Sequence, residues 1–114
     1  MAQDCVFCKI AVGELSAQVE MENEDIIAFR DIHPEAPVHI LIIPKKHIAS
    51  LVDVTDKDSG MLGRIQLAAA ELAEKHKLDR GFRLVTNCGH EGGQTVEHLH
   101  YHLLGGRQLT WPPG

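Results

Sequence analysis

Polar and apolar residues alternate through "SAQVEMENE", and this two-residue period predicts a strand near 17–21 that ends in the polar turn Glu22-Asn23-Glu24. "DIIAFRD" (25–31) and "VHILIIPK" (38–45) are two further β-rich runs, parted by "IHPEAP", whose prolines mark a loop. The first two strands, joined by a short polar turn, are expected to pair as a hairpin. The period then changes. Leu62, Ile65, Ala69 and Leu72 recur at spacings of three and four and form the apolar stripe of one long helix. Thr55, three residues before Asp58, is its expected N-cap, and Gly81, just beyond "KHKLDR", its expected stop. "FRLVTNC" (82–88) reads as a strand, "GHEGGQT" as a glycine-rich loop and "EHLHYHLLG" as the last strand. "CVFCKIAVG" suits a short N-terminal helical turn, and the prolines of "QLTWPPG" cannot continue a helix or a central strand. These elements predict an α+β fold, with no internal repeat, low-complexity tract or linker, in one domain over 1–114.

The last strand carries the chemistry. His98, His100 and His102 are two apart, so on a strand they share a face, while Leu99, Tyr101 and Leu103 point the other way into a core. Same-face neighbours are about 6.6 Å apart and the outer pair about 13 Å, too far for one ion with bonds of about 2.1 Å to hold all three without strain. Three imidazoles are therefore expected to divide their duties. The middle one is best placed to attack phosphorus as a neutral nucleophile, and a neighbour can neutralise phosphate oxygens or protonate a departing amine. A further group must orient the nucleophile's other nitrogen, and we expect it from elsewhere in the chain. Glycines 89, 92 and 93 in the preceding loop would let backbone N–H groups converge on a phosphate.

Composition narrows the class without naming it. A chain of 114 residues holds one modest core, and a net charge of −5 argues against general attraction to nucleic acid or to an anionic membrane. No apolar run is long enough to span a bilayer, and "MAQDCVFCKI" lacks the basic and apolar regions of a secretory signal, so a cytoplasmic, reducing setting is expected. In that setting the Cys5-x-x-Cys8 pair favours a thiol redox motif or half a zinc site over a structural disulfide. The missing thioredoxin-like context weighs against redox.

The ordered set "FCKI", "AFRDIHPEAPVHILIIPKKHI", "GGQTVEHLHYHLLGGRQ" and "WPPG" resembles the histidine triad (HIT) superfamily, and within it the nucleotide-binding branch, over nearly the whole chain. The resemblance implies a five-stranded antiparallel sheet with one long and one short N-terminal helix, dimerising into a continuous ten-stranded sheet. It implies a homodimer that hydrolyses purine nucleoside 5′-phosphoramidates at the α-phosphorus through a nucleotidyl-histidine intermediate. His100 matches the nucleophile, His102 the contact to phosphate and leaving group, and His39 a distant member of the same network, with His98 completing the triad. Asp31 matches the ribose-binding acid, and Phe7, Ile10, Phe29 and Ile32 match positions lining the base pocket. Asn87, Gly93, Gln94 and Thr95 match phosphate-side contacts, with threonine where close relatives often carry serine. Trp111 matches a tail residue reaching towards the partner subunit's site. In other branches of the superfamily a structural zinc is held by residues matching Cys5, Cys8, His47 and His98.

Plainer readings stand beside these. Phe7, Ile10, Phe29 and Ile32 read equally as core, Asp31 as a turn cap before its proline-containing loop, and the two cysteines as small buried fillers. His33, His76 and His90 are given no role. Rival functions are dinucleoside polyphosphate hydrolysis, a non-enzymatic nucleotide-binding or regulatory module, and a zinc-dependent structural protein. No cofactor is expected to be needed for the reaction itself.

Overall fold

Alternation in the apolar runs divides the core into two layers, one on each face of a single sheet. The computed structural model describes residues 5–114, and its elements run α1 (Val6–Ala11), β1 (Val19–Glu22), β2 (Ile26–Arg30), β3 (Val38–Pro44), α2 (Ser59–Lys75), β4 (Phe82–Thr86) and β5 (Tyr101–Gly105). The five strands lie in the order β1-β2-β3-β5-β4, and every neighbouring pair is antiparallel. This is the expected α+β arrangement, including the β1–β2 hairpin.

On one face Ile26, Ala28, Ile40, Ile42 and Leu103 pack against Ile65, Ala68, Ala69 and Leu72 of α2. On the other, Ile27, Phe29, Leu41 and Ile43 pack against Phe7 of α1, with Val96 at the margin. Strand β3 sits at the centre and is buried from His39 to Pro44, so both of its faces are committed. Since Leu41 pairs with His102 and His39 with Leu104, His39 and His102 form a diagonal pair on the face away from α2.

Two boundaries differ from expectation. Thr55 does cap, but it caps a 3-10 turn, Asp56–Asp58, that leads into α2: its side chain accepts from the Lys57 amide, and Asp58 accepts from the Thr55 N–H at 2.9 Å. The helix ends at Lys75, not at Gly81, because the left-handed residue that breaks it is Lys77, at φ 57°. Gly81, at φ 121°, instead turns the chain into β4. Strand β5 begins at Tyr101, so His98 and His100 precede it; buried Leu99 is tied to the Ile48 carbonyl by its N–H.

The carboxylate of Glu20 ties the edge strand to the helix. It accepts from Arg30 Nε on β2, from Lys75 Nζ at the end of α2 and from His76 Nε2, each at 2.9 Å. Burial works to raise its pKa, but Lys75, His76 and Arg30 together outweigh burial and bring it from its ordinary 4.5 to about 2. A carboxylate depressed in the folded state stabilises above its unfolded pKa, and that contribution is lost as pH falls through the folded value. Screening of the half-exposed Lys75 and Arg30 leaves about 2 kcal/mol. Glu20→Gln should lower stability by about that amount at pH 7 and flatten its decline between pH 4.5 and pH 2, read from urea unfolding midpoints across pH.

Candidate functional site

The three histidines of the last segment have three different partners. His98 Nε2 donates to the Pro44 carbonyl at 2.8 Å, which leaves Nδ1 as the lone-pair nitrogen of the neutral ring. That Nδ1 faces Cys5 Sγ at 3.2 Å, Cys8 Sγ at 3.5 Å and His47 Nδ1 at 3.2 Å. Cys8 Sγ is also 3.2 Å from His47 Nδ1, and all four donor atoms lie within 4.8 Å of one another. The brief helix α1 presents both thiols on this side, with Cys5 as its N-cap accepting from the Cys8 amide. A tetrahedral zinc ion sets its ligand atoms about 3.3 Å apart for two nitrogens and about 3.6 Å for nitrogen and sulfur. The four side chains therefore fit such an ion in spacing and in chemistry, and the His98–Pro44 bond is the outer-shell hydrogen bond that a ligating imidazole needs.

His100 is turned the opposite way. Its Nδ1 lies 2.6 Å from the His98 carbonyl oxygen, and because a carbonyl only accepts, the proton is on Nδ1 and the lone pair on Nε2. The orienting partner expected from elsewhere in the chain is thus two residues away, in the backbone of the same segment. Phe7 covers the ring edge-on at 5.2 Å between centroids, and the Thr86 hydroxyl donates to the His100 carbonyl at 2.8 Å. Among the described residues no buried side-chain nitrogen or oxygen lacks a hydrogen-bond partner. Among those residues His100 Nε2 has no hydrogen-bond partner, so this nitrogen of a 4% exposed residue keeps some contact with solvent.

His102 belongs to a second chain of bonds. The Glu35 N–H donates to His39 Nδ1 at 3.0 Å, which puts the proton of neutral His39 on Nε2. His39 Nε2 lies 2.9 Å from His102 Nδ1 and 3.4 Å from Asp31 Oδ2. His102 Nδ1 is therefore an acceptor, and its proton sits on Nε2. The His100 and His102 rings are 5.0 Å apart between centroids, so a ring with its lone pair on Nε2 neighbours one with its N–H on Nε2. Burial, then the proximity of His100 and His39, holds the His102 pKa down to about 4 against the pull of Asp31. Burial also lowers His39, opposed by Asp31 and Glu35.

Asp31, His39 and His102 also lie close enough to hold an ion. Their hydrogen bonds argue otherwise: a ligating His39 Nε2 would require the proton on Nδ1, where it would meet the Glu35 N–H. These bonds suit a proton-sharing pair of imidazoles better than a metal site.

The remaining positions divide between exposed rim and structural support. Ile32 and Trp111 are exposed, Ile10 is half-buried, and Thr95 is exposed. Phe7 and Phe29 stack edge to face at 5.6 Å within the second core layer, so the core reading holds for both. Asp31 does cap a turn, with Oδ1 accepting from the His33 N–H at 2.7 Å, while Oδ2 faces His39. Half-buried Asn87 follows Thr86, whose partner is Tyr101, and so leaves the sheet beside His100. The glycine loop differs from expectation. The N–H groups of Gly92, Gly93 and Gln94 donate to the Gly89, His90 and Gly89 carbonyls, and the Gly89 N–H is taken by Gln94 Oε1. Gln94 Nε2 donates to Ala49 and Val96. These amides brace the loop and are not free to cradle an anion; Gly92 has no room for a side chain, since a Cβ would meet the Cys88 carbonyl at 2.5 Å. Sequence reasoning missed three backbone groups, the Glu35 N–H and the Pro44 and His98 carbonyls, for which residue type carries no signal.

The family described as "Scavenger mRNA decapping enzyme C-term binding" matches residues 4–110. An uncharacterized HIT-like protein of Synechococcus elongatus is 48% identical over 114 residues, covering 100% of both chains. A solved HIT family hydrolase from Legionella pneumophila superposes with a TM-score of 0.95 at 58% identity, covering 96% of this chain and 99% of that one. A histidine triad nucleotide-binding protein from Candida albicans superposes at 0.81 with 34% identity, over 95% and 82% respectively.

Asp31 is the negative charge that favours a proton on the His39–His102 pair. Asp31→Asn should therefore move the His102 titration below its value of about 4, followed by the imidazole NMR shifts across pH.

Proposed function

The chain belongs to the histidine triad family, and on that premise we propose that it is a hydrolase of purine nucleoside 5′-phosphoramidates. The observation that carries this reading is the pairing of a lone pair on His100 Nε2 with an N–H on His102 Nε2, both open to solvent on one face. His100 Nε2 attacks the α-phosphorus, and the new N–P bond forms as the bond to the leaving nitrogen breaks. Nδ1 keeps its proton, and the positive charge of the adduct falls beside the His98 carbonyl. The leaving nitrogen takes one proton from His102 Nε2 and departs as the amine. Arrival of the anionic substrate favours proton uptake on the His39–His102 pair, whose charge Asp31 counters. Water then attacks the adduct and gives a proton to His102, and His100 regains its lone pair as nucleoside monophosphate is released.

Exposed Ile32 and half-buried Ile10 are the apolar contacts left for a base, with Phe7 and Phe29 as the floor behind them. Asp31 is the acid nearest the relay and suits sugar hydroxyls, while Asn87 and the Thr95 hydroxyl supply polar contacts to phosphate. In our reading zinc is bound by Cys5, Cys8, His47 and His98, and its contribution there is a structural cross-link between α1 and the histidine segment. Two copies pair through β4, the regular edge of the sheet; the other edge, β1, is interrupted by an irregularity between Val19 and Met21. Trp111, 81% exposed on one chain, then has a partner surface to reach.

His100→Ala should lower turnover of an adenosine phosphoramidate by a factor on the order of 10⁴ or more while nucleotide still binds. Mass spectrometry of the wild type quenched during turnover should find a nucleotide on His100. An unmodified His100, or faster cleavage of a dinucleoside polyphosphate, would replace this reading with another. Native mass spectrometry of protein prepared without chelators should give two chains carrying two zinc ions, and a metal-free species would remove the zinc assignment.

A further inference from the structure

The tautomer of His39 depends on one backbone amide in an irregular loop, which raises the question of what keeps that loop in place. Residues 34–37, between β2 and β3, carry prolines at both ends. The Glu35 N–H is the group that faces His39 Nδ1. The carbonyl of the same residue accepts from Arg107 Nε at 3.0 Å, and Arg107 Nη1 also donates to Gln108. Arg107 lies in the turn that follows β5, two residues beyond Gly105, whose partner in the sheet is Val38. That turn is seated against the loop: a Cβ on Gly106, which has φ 93°, would come within 2.9 Å of Pro37 Cβ. The end of β5 therefore holds the start of β3 from outside the substrate face.

We propose that Arg107 is a positioning residue for the reaction, acting through the backbone of Glu35, whose carbonyl it holds and whose N–H faces His39, to keep the His39 proton on Nε2 and so the His102 proton on the nitrogen that faces substrate. The inference rests on the proposed role of His102, although its first link is independent of any substrate. Arg107 touches none of the reacting groups. Without its bond the backbone on either side of the Glu35 Cα is free to turn, the Glu35 N–H leaves its place, and His39 gains access to the tautomer with its proton on Nδ1. His39 Nε2 then presents a lone pair to His102 Nδ1, and His102 answers by shifting its proton away from the substrate.

The test compares wild type with Arg107→Ala, Arg107→Lys and Gly106→Ala. Lysine keeps the charge and one donor, and alanine at 106 presses on Pro37 with the arginine intact. Long-range proton–nitrogen NMR spectra of the imidazoles should show His39 held in the Nε2–H form in wild type, mixed in Arg107→Ala and Gly106→Ala, and partly restored in Arg107→Lys. With an adenosine phosphoramidate, kcat should fall about tenfold in Arg107→Ala with KM little changed, the loss of one hydrogen bond to a charged group. Should Arg107→Ala be too unstable to examine, the lysine and Gly106 variants give the same reading. A His39 tautomer identical in all four proteins overturns the proposal. A tautomer that shifts in a protein whose wild type cleaves no phosphoramidate upholds it and removes the hydrolase reading instead.

Discussion

His100 donates a hydrogen bond from its Nδ1–H to the His98 carbonyl across 2.6 Å, and the rest of the site is arranged around that bond. It leaves the lone pair on Nε2, where solvent reaches it, and it does so through backbone, which cannot titrate. His98 can serve in this way because its own ring is held elsewhere, between Pro44 and the thiols of α1. One residue thus links the cluster of Cys5, Cys8 and His47 to His100, by its side chain on one side and by its carbonyl on the other.

Two histidine clusters lie on the same face, and their outer hydrogen bonds assign them opposite chemistry. A metal-binding imidazole donates from its remote nitrogen, as His98 does to Pro44. His39 accepts at its remote nitrogen, from Glu35, and so carries its proton inward to His102. Ligand spacing alone does not separate them, since both sets lie within 4.8 Å. Burial acts on the two in the same direction, lowering His39, His98 and His102 and keeping the rings neutral where lone pairs are needed.

Much of this was legible in the chain before any coordinates. A period-two run located β1, two β-rich runs located β2 and β3, the three-and-four spacing located α2, and the separation of three histidines told against a single ion. Residue type brought out the grouping of Cys5, Cys8, His47 and His98 and the nearness of His39 to His102. It did not carry backbone conformation or backbone donors. Lys77 adopts the left-handed conformation that glycine usually takes and so ends α2 ahead of Gly81. The loop amides close on their own carbonyls, because a glycine-rich sequence permits a cradle and a braced turn equally. Phe7 and Phe29 went to the core since α1 brings one against the other, a contact between parts of the chain far apart in sequence.

Strand β3 is buried on both faces, and it supplies His39 from within that packing. Nearly any change of volume along it disturbs one hydrophobic layer or the other, so the position of His39 inherits the intolerance of the core. Ile32, Thr95 and Trp111 lie outside both layers and carry no such restraint. Descendants of this chain are therefore free to vary at the rim while the packed histidines behind it stay fixed.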